Sequence, residues 1–396
     1  MRNLHKNGTQ AASSEVVRNI NRRIVLNLIR TRQPVSRADL ARVSGMQPST
    51  ISLIVEQLIQ ENWVLEREMG RPPRGRRPTF LRLNDERVII GVDIRPSETT
   101  VALADANGKF TAREIVVTTR DPELTFGPLI ECLGRMISLC KGRKIEGIGV
   151  SVPGRFDSSS DRLMFAPNLG WRDVAIGSRI GEATGLDVEL ENAANACALA
   201  TVWFDNGSPS RNLVAVTVSE GIGTGILSNG QLVRGSNGMG GEFGHVQLDP
   251  KGPECGCGSR GCWESFASNR AALRYYENGS SSTARSFVDL LSLAEQGETR
   301  ACQALEKMAH YLGKGMRIIV AGLAPEQNII VGELTRAWKR FGPLIEAEVK
   351  AQMLPGGVPP ELIPAHEGGM ARLRGTIALV LQKDFGSCLQ PDRPEY

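Results

Sequence analysis

Three cysteines and one histidine make the sharpest chemical pattern in the chain. Cys255, Cys257 and Cys262 fall within eight residues, and His245 lies ten residues before the first of them. Thiolate and imidazole are zinc ligands, and three of one with one of the other complete a tetrahedron. The glycines between them let a short loop wrap a single ion. A closed set has no open position for water, so the expected zinc is structural, one per chain, rather than catalytic. The other five cysteines are scattered and read as small buried hydrophobes, not as a disulfide framework.

Carboxylates and amides bracket this cluster. Glu242 precedes His245 by three residues, Glu264 follows Cys262 by two, and Asn168 and Asn192 lie in other loops. Such side chains donate to and accept from vicinal hydroxyls, so their convergence on one pocket would suit a sugar.

The elements that must position these residues form an α/β pattern that occurs twice. Strands are expected at 88–94, 99–104 and 110–117, with Asn107-Gly108 as a hairpin turn, then a helix at 123–139 and a buried strand at 145–152. Strands at 213–218, 225–228 and 231–234 repeat the theme, with Asn229-Gly230 at the hairpin, followed by a helix at 299–322 and a strand at 328–331. Two α/β lobes facing each other across a cleft would hold the ligand between them.

A different module precedes them. Residues 1–84 carry fifteen Lys and Arg against six Asp and Glu, a balance of +9, so the remainder sums to −5 of the overall +4. This asymmetry points to a nucleic-acid module joined to a larger body. Val17, Ile20, Ile24 and Leu28 predict one apolar stripe on a helix over 15–32. Ser36 with Asp39 forms a capping box for a second helix, whose apolar face is Leu40 and Val43. Pro48 opens a third, with Ile51, Ile54, Val55 and Leu58 inward. That order is the helix-turn-helix layout. Gln47, Ser49, Thr50 and Ser52 are then the candidates for the major groove, and Arg37 is counted among the DNA contacts. Strands at 63–68 and 79–83 flank a segment bearing Arg71, Arg74, Arg76 and Arg77, which reads as a β-hairpin wing entering the minor groove.

Val218-Ser-Glu-Gly-Ile-Gly-Thr-Gly-Ile226, Gly235, Gly241 and Gly244-His245 resemble the signature of the ROK family of repressors and sugar kinases. The likeness extends over nearly the whole chain, and the basic N-terminal module resembles the family's repressor branch. The resemblance implies an N-terminal winged helix-turn-helix followed by a duplicated actin-like, ribonuclease-H-like α/β fold. The expected domains are 1–84, a first lobe at 85–200 completed by a C-terminal helix at 371–386, and a second lobe with the zinc loop at 201–370. By the family's sugar motifs, matched here at Glu191 to Asn195 and Gly241 to His245, the sugar contacts are Gly154, Asn168, Asn192, Glu242, His245 and Glu264. His245 would touch sugar with one ring nitrogen and zinc with the other.

Three departures from the kinases stand out. Ala193 replaces the aspartate that would act as general base. The first phosphate loop reads Asp93-Ile-Arg-Pro-Ser97 instead of carrying a glycine pair, and Gly332-Glu333 places a carboxylate where another glycine pair is usual. The resemblance therefore implies a non-enzymatic, sugar-responsive regulator that binds operator DNA as a homodimer or tetramer and is released by a sugar or sugar phosphate. A repressor captured by a sugar-transporter protein is the alternative, and a sugar kinase with a DNA-binding arm is a third reading.

Composition closes off other classes. At 396 residues, 41% hydrophobic and 23% charged, the chain is neither disordered nor collagen-like. It has no apolar run of the ~18 residues a membrane span needs and no signal-like start, so a cytoplasmic protein without membrane insertion is expected.

Overall fold

The computed structural model describes residues 14–68, 79–157, 162–204, 210–277, 284–351, 353, 356–365 and 370–386. The chain divides into two compact units: one runs through Arg87 and includes the segment from Gln382, the other is Val88–Leu381.

In the first unit, α1 (Ser14–Arg32), α2 (Arg37–Ser44) and α3 (Pro48–Gln60) precede an antiparallel pair, β1 (Val64–Glu68) and β2 (Thr79–Leu83). The capping box at Ser36 and Asp39 forms in full, and Gly45 ends α2 in the left-handed region. Ile51, Ile54, Val55 and Leu58 are the buried side of α3, as their spacing predicts. The expected stripe on α1 is not its buried face. Val17 and Ile20 are 46% and 50% exposed, and Val25, Leu26 and Ile29 go inward instead. Residues 24–29 are apolar on more than one side of the helix, so period alone does not select the packed face. Val43 is likewise exposed, leaving Leu40 as the buried residue of α2. Trp63 is buried under the Arg87 guanidinium, 3.7 Å from its ring, and meets Phe385 edge-on at 5.2 Å.

The second unit contains two mixed five-stranded sheets. In chain order the first lobe supplies β3 (Arg87–Ile94), β4 (Glu98–Asp105), β5 (Phe110–Val117), α4 (Pro122–Leu139), β6 (Lys144–Val152), β7 (Arg155–Asp157), β8 (Arg162–Ala166), β9 (Trp171–Val174), α5 (Ile176–Thr184), β10 (Val188–Asn192) and α6 (Ala193–Phe204). The second supplies β11 (Leu213–Val218), β12 (Ile222–Ser228), β13 (Gln231–Leu232), α7 (Glu264–Ala267), α8 (Asn269–Glu277), α9 (Phe287–Glu295), α10 (Thr299–Leu323), β14 (Gln327–Val331), α11 (Trp338–Lys350) and β15 (Glu361–Pro364), after which α12 (Met370–Phe385) returns to the first sheet, with Thr376 close against Gly91 and Gly149.

Strand orders are β10-β6-β3-β4-β5 and β13-β12-β11-β14-β15, and a small sheet β7-β8-β9 is added to the first lobe. Each large sheet joins an antiparallel meander to parallel strands, so the duplication read in the sequence appears in the topology. The inner strands β3 and β11 bury both faces, whereas the edge strand β5 alternates half-buried and exposed residues. One core packs α4 and α5 on the first sheet through Phe126, Leu133 and Trp171; the other packs α9 and α10 on the second through Leu290, Leu312 and Met316.

Two glycines bring neighbouring backbone close against α6. A Cβ on Gly225 would lie 2.2 Å from the Ala194 carbonyl oxygen, and one on Gly375 of α12 would lie 2.0 Å from that of Ala196. This backbone contact sets the start of α6, and with it Asn192 and Ala193, against the cleft.

Candidate functional site

The cysteine loop is built by local hydrogen bonds. Gly241, in the left-handed region, turns the chain into a short 3-10 helix at Glu242–His245. Gln247 bridges to Cys262 and Glu254 to Arg260, and the Cys255 N–H donates to the Ser259 carbonyl at 2.8 Å. The ligand atoms of His245, Cys255, Cys257 and Cys262 then all lie within 4.8 Å of one another. Cys255 Sγ is 3.5 Å from His245 Nδ1, and the sulfurs of Cys257 and Cys262 are 3.7 Å apart. Ligands at zinc distances on a tetrahedron are separated by about 3.5–3.8 Å, so the donor set fits one such ion.

The protonation pattern agrees. Burial raises the thiols of Cys255 and Cys262, with nearby Glu264 adding to the effect. Burial also opposes ionisation of Cys257, but hydrogen bonds from the Ser259 N–H and neighbouring thiols bring it down to about 7. A bound cation would favour the ionised form of all three.

Beside this loop lies a cavity of about 420 Å³ between the two lobes of the second unit. Gly154, Asn168, Asn192, Glu242, His245 and Glu264 all line it. The Asn192 amide donates to the Gly154 carbonyl at 2.9 Å and accepts from the Ala194 N–H at 2.8 Å, so it also caps the first turn of α6. One N–H and one lone pair remain for a ligand. His245 Nε2 is 3.7 Å from Glu242, while Nδ1 faces Cys255 and lies 3.9 Å from Glu264. One ring nitrogen thus serves the cysteine side and the other the cavity. Ser219 and Glu220, within the motif at 218–226 but not counted as ligand contacts, line the same cavity, as do Arg155 and Arg372, for which motif spacing gives no signal.

The three positions singled out against the kinase motifs are all described. Ala193 is buried at the start of α6 and lines the cavity without a carboxylate. Asp93 is fully buried and engaged, accepting from Ser151 Oγ at 3.0 Å and from Arg95 Nε at 2.7 Å. Burial works against the charge on Arg95, but Asp93, Glu333 and Glu98 outweigh it and hold the guanidinium above its ordinary value. Arg95 and Glu333 both line a second cavity of about 830 Å³.

In the first unit, Gln47 and Ser49 are exposed at the start of α3, and Thr50 and Ser52 are half-buried beside them. Leu53 is 62% exposed in the same stretch. Arg37 is engaged within the unit: both oxygens of Glu66 accept from it at 3.0 Å and Glu56 lies at 3.5 Å. The Glu66 hydrogen bonds hold it above the usual arginine value. Arg71, Arg74, Arg76 and Arg77 lie outside the described residues. Among the described residues, no helix is long and apolar enough to cross a membrane.

Comparison with known proteins follows the same division. The ROK family model matches residues 89–383. The xylose repressor of Bacillus spizizenii is 31% identical over 376 residues, 94% of this chain and 97% of its own length. A solved ROK family transcriptional regulator, a homologue of the Escherichia coli MLC protein, aligns with a TM-score of 0.78 at 25% identity, over 93% of this chain and 98% of its own. A ROK family glucokinase from Streptomyces griseus, solved with glucose and AMPPNP, aligns with a TM-score of 0.65 at 26% identity, over 74% of this chain and 99% of its own. The larger unit shares the actin-like α/β fold of these proteins, with its mixed sheets. The glucokinase match leaves about a quarter of this chain uncovered, whereas the two regulators cover nearly all of it.

Proposed function

Because this chain belongs to the ROK family, we propose that it is a sugar-responsive transcriptional repressor and not a sugar kinase. The observation that carries the reading is the cavity: amide, carboxylate and imidazole groups suited to hydroxyls converge there, while Ala193 supplies no general base. The basic first unit, with three helices and an antiparallel strand pair, is the winged helix-turn-helix, and α3 is its recognition helix. A homodimer places two such helices on the half-sites of a palindromic operator.

His245, Cys255, Cys257 and Cys262 would hold one zinc ion, which ties the loop carrying Glu242 and His245 into a fixed shape. Sugar enters the cavity and contacts Asn168, Asn192, Glu242, His245 and Glu264 beside Gly154. It favours a conformation of the dimer that no longer fits the operator, and it switches only to the extent that it binds the two states unequally.

Fluorescence anisotropy on DNA from upstream of the protein's own gene, at fixed salt, tests this. Specific binding released by one member of a panel of sugars and sugar phosphates is the expected result. Specific binding that responds to membranes carrying a sugar transporter, and to no sugar, would replace the small-molecule effector with a protein one.

A further inference from the structure

Helix α3 has a buried face and an outward one. Ile51, Ile54, Val55 and Leu58 are at most 3% exposed and make up the first. Leu53 is not among them. It is two positions from Ile51 and two from Val55, about 200° round the helix from each, and it is 62% exposed. Among the described residues it is the one large apolar side chain of α3 left in water. The stripe it belongs to is otherwise polar: Ser49, one turn before it, and Glu56, one turn after, are both exposed.

Its surroundings narrow what such a side chain can meet. A lone leucine among polar groups is far smaller than the apolar patch of roughly several hundred Å² that marks a protein-binding surface. It does match a single methyl group. Ser49, Thr50 and Ser52 reach less far from the helix axis than a leucine does, so they leave it accessible. Glu56 does not set the stripe against DNA, because its carboxylate lies 3.5 Å from the Arg37 guanidinium. The balance of +9 up to residue 84 favours a polyanion over this unit as a whole.

We propose that Leu53 packs against the 5-methyl group of a thymine in the major groove and so fixes one T·A pair in each operator half-site. This rests on the reading of α3 as the recognition helix. Leu53 is the sixth residue of α3, in the half of such a helix that reaches base edges. Thymine is the base that presents an apolar group in that groove, and an aliphatic side chain is its complement. Covering the leucine and the methyl together removes apolar surface from water without taking a hydrogen bond from either partner. The contact specifies sequence and adds no charge to the interface.

Uracil in place of thymine tests this, since it removes the methyl and leaves the pairing and its hydrogen-bonding edges intact. The site is first obtained by selecting random duplexes with the full-length protein at fixed salt. Each thymine in it is then replaced singly, and anisotropy gives the affinity. One thymine per half-site should respond in wild-type protein, with about a fourfold loss for its methyl. Leu53→Ala should weaken the selected site about four- to tenfold. In that variant the same uracil should change affinity by less than about 1.5-fold, because its partner is gone. Affinity for random DNA and the salt slope should stay as in wild type, since no phosphate contact is lost. The position is exposed and alanine is the best helix former, so the variant keeps the fold.

A selected site in which no thymine responds to uracil would overturn the proposal while leaving α3 as the recognition element. A uracil response undiminished in Leu53→Ala would also overturn it and assign the methyl to another side chain. Selection that enriches no sequence would sink the helix-turn-helix reading itself, and this proposal with it.

Discussion

Ala193 sits where a carboxylate would add a general base to the cavity, but one residue does not make a phosphoryl-transfer site. Elsewhere in the cleft Asp93 is committed to Arg95 and Ser151, and Glu333 accepts from Asn269 at 3.0 Å. Ala193→Asp should therefore yield no sugar-dependent ADP in a coupled ATPase assay. Turnover above the no-sugar control would mean that the phosphate loops are competent after all. The cysteine loop gives a second prediction at this scale. Cys257 is the exposed member of its cluster, and its sulfur is 3.7 Å from that of Cys262. Cys257→Ser should reduce zinc well below one ion per chain by elemental analysis. It should also lower the stability of the larger unit by roughly 2–4 kcal/mol, in the range of mutations that lose a structural metal. One full equivalent of zinc in that variant would remove Cys257 from the ligand set.

Between elements, the decisive contact is the crossing of α6 and α12, where Gly375 leaves no space for a side chain against Ala196. Gly375→Ala should cost about 2–4 kcal/mol in urea unfolding, because backbone rather than a flexible side chain must yield. The matched control is Gly134, exposed on α4 with nothing within 4 Å of its Cβ position. Gly134→Ala should stabilise by about 0.5–1 kcal/mol through the unfolded chain. Equal effects at the two glycines would refute the close-crossing argument. What the sequence makes legible follows the same physics. The meanders β3–β5 and β11–β13 carry buried runs and Asn-Gly turns, and Asn229 and Gly230 both adopt positive φ, at 50° and 75°. The cysteine loop is legible because its ligands are close in sequence. Strands β7 to β9 are too short to show a period, and their core residue Trp171 is held by α4 across the fold. The packed face of α1 is ambiguous in sequence because its middle is apolar on several sides. Arg372 carries no local signal at all: it reaches the cavity from α12, far along the chain from the motifs.

For the whole molecule the telling feature is the charge division, +9 before residue 85 against −5 after it. If the first unit binds DNA, part of its affinity comes from releasing counterions, and the salt dependence reports how many phosphates are neutralised. Strands β1 and β2 pair from Val64↔Leu83 to Glu68↔Thr79, and the segment that joins them carries Arg71, Arg74, Arg76 and Arg77. Replacing Arg74, Arg76 and Arg77 together with alanine should weaken operator and random DNA alike. The slope of log affinity against log salt should flatten by about 0.9 for each phosphate no longer neutralised, hence by up to about 2.7. Substitution at Ser49 and Thr50 on α3 should behave differently. If those short side chains read bases, operator affinity should fall by about 1–3 kcal/mol, with random DNA little affected and the slope nearly unchanged. A slope that ignores the triple variant would remove the arginine segment from the interface. A weakening at Ser49 and Thr50 shared equally by random DNA would make α3 a backbone clamp rather than the element that reads sequence.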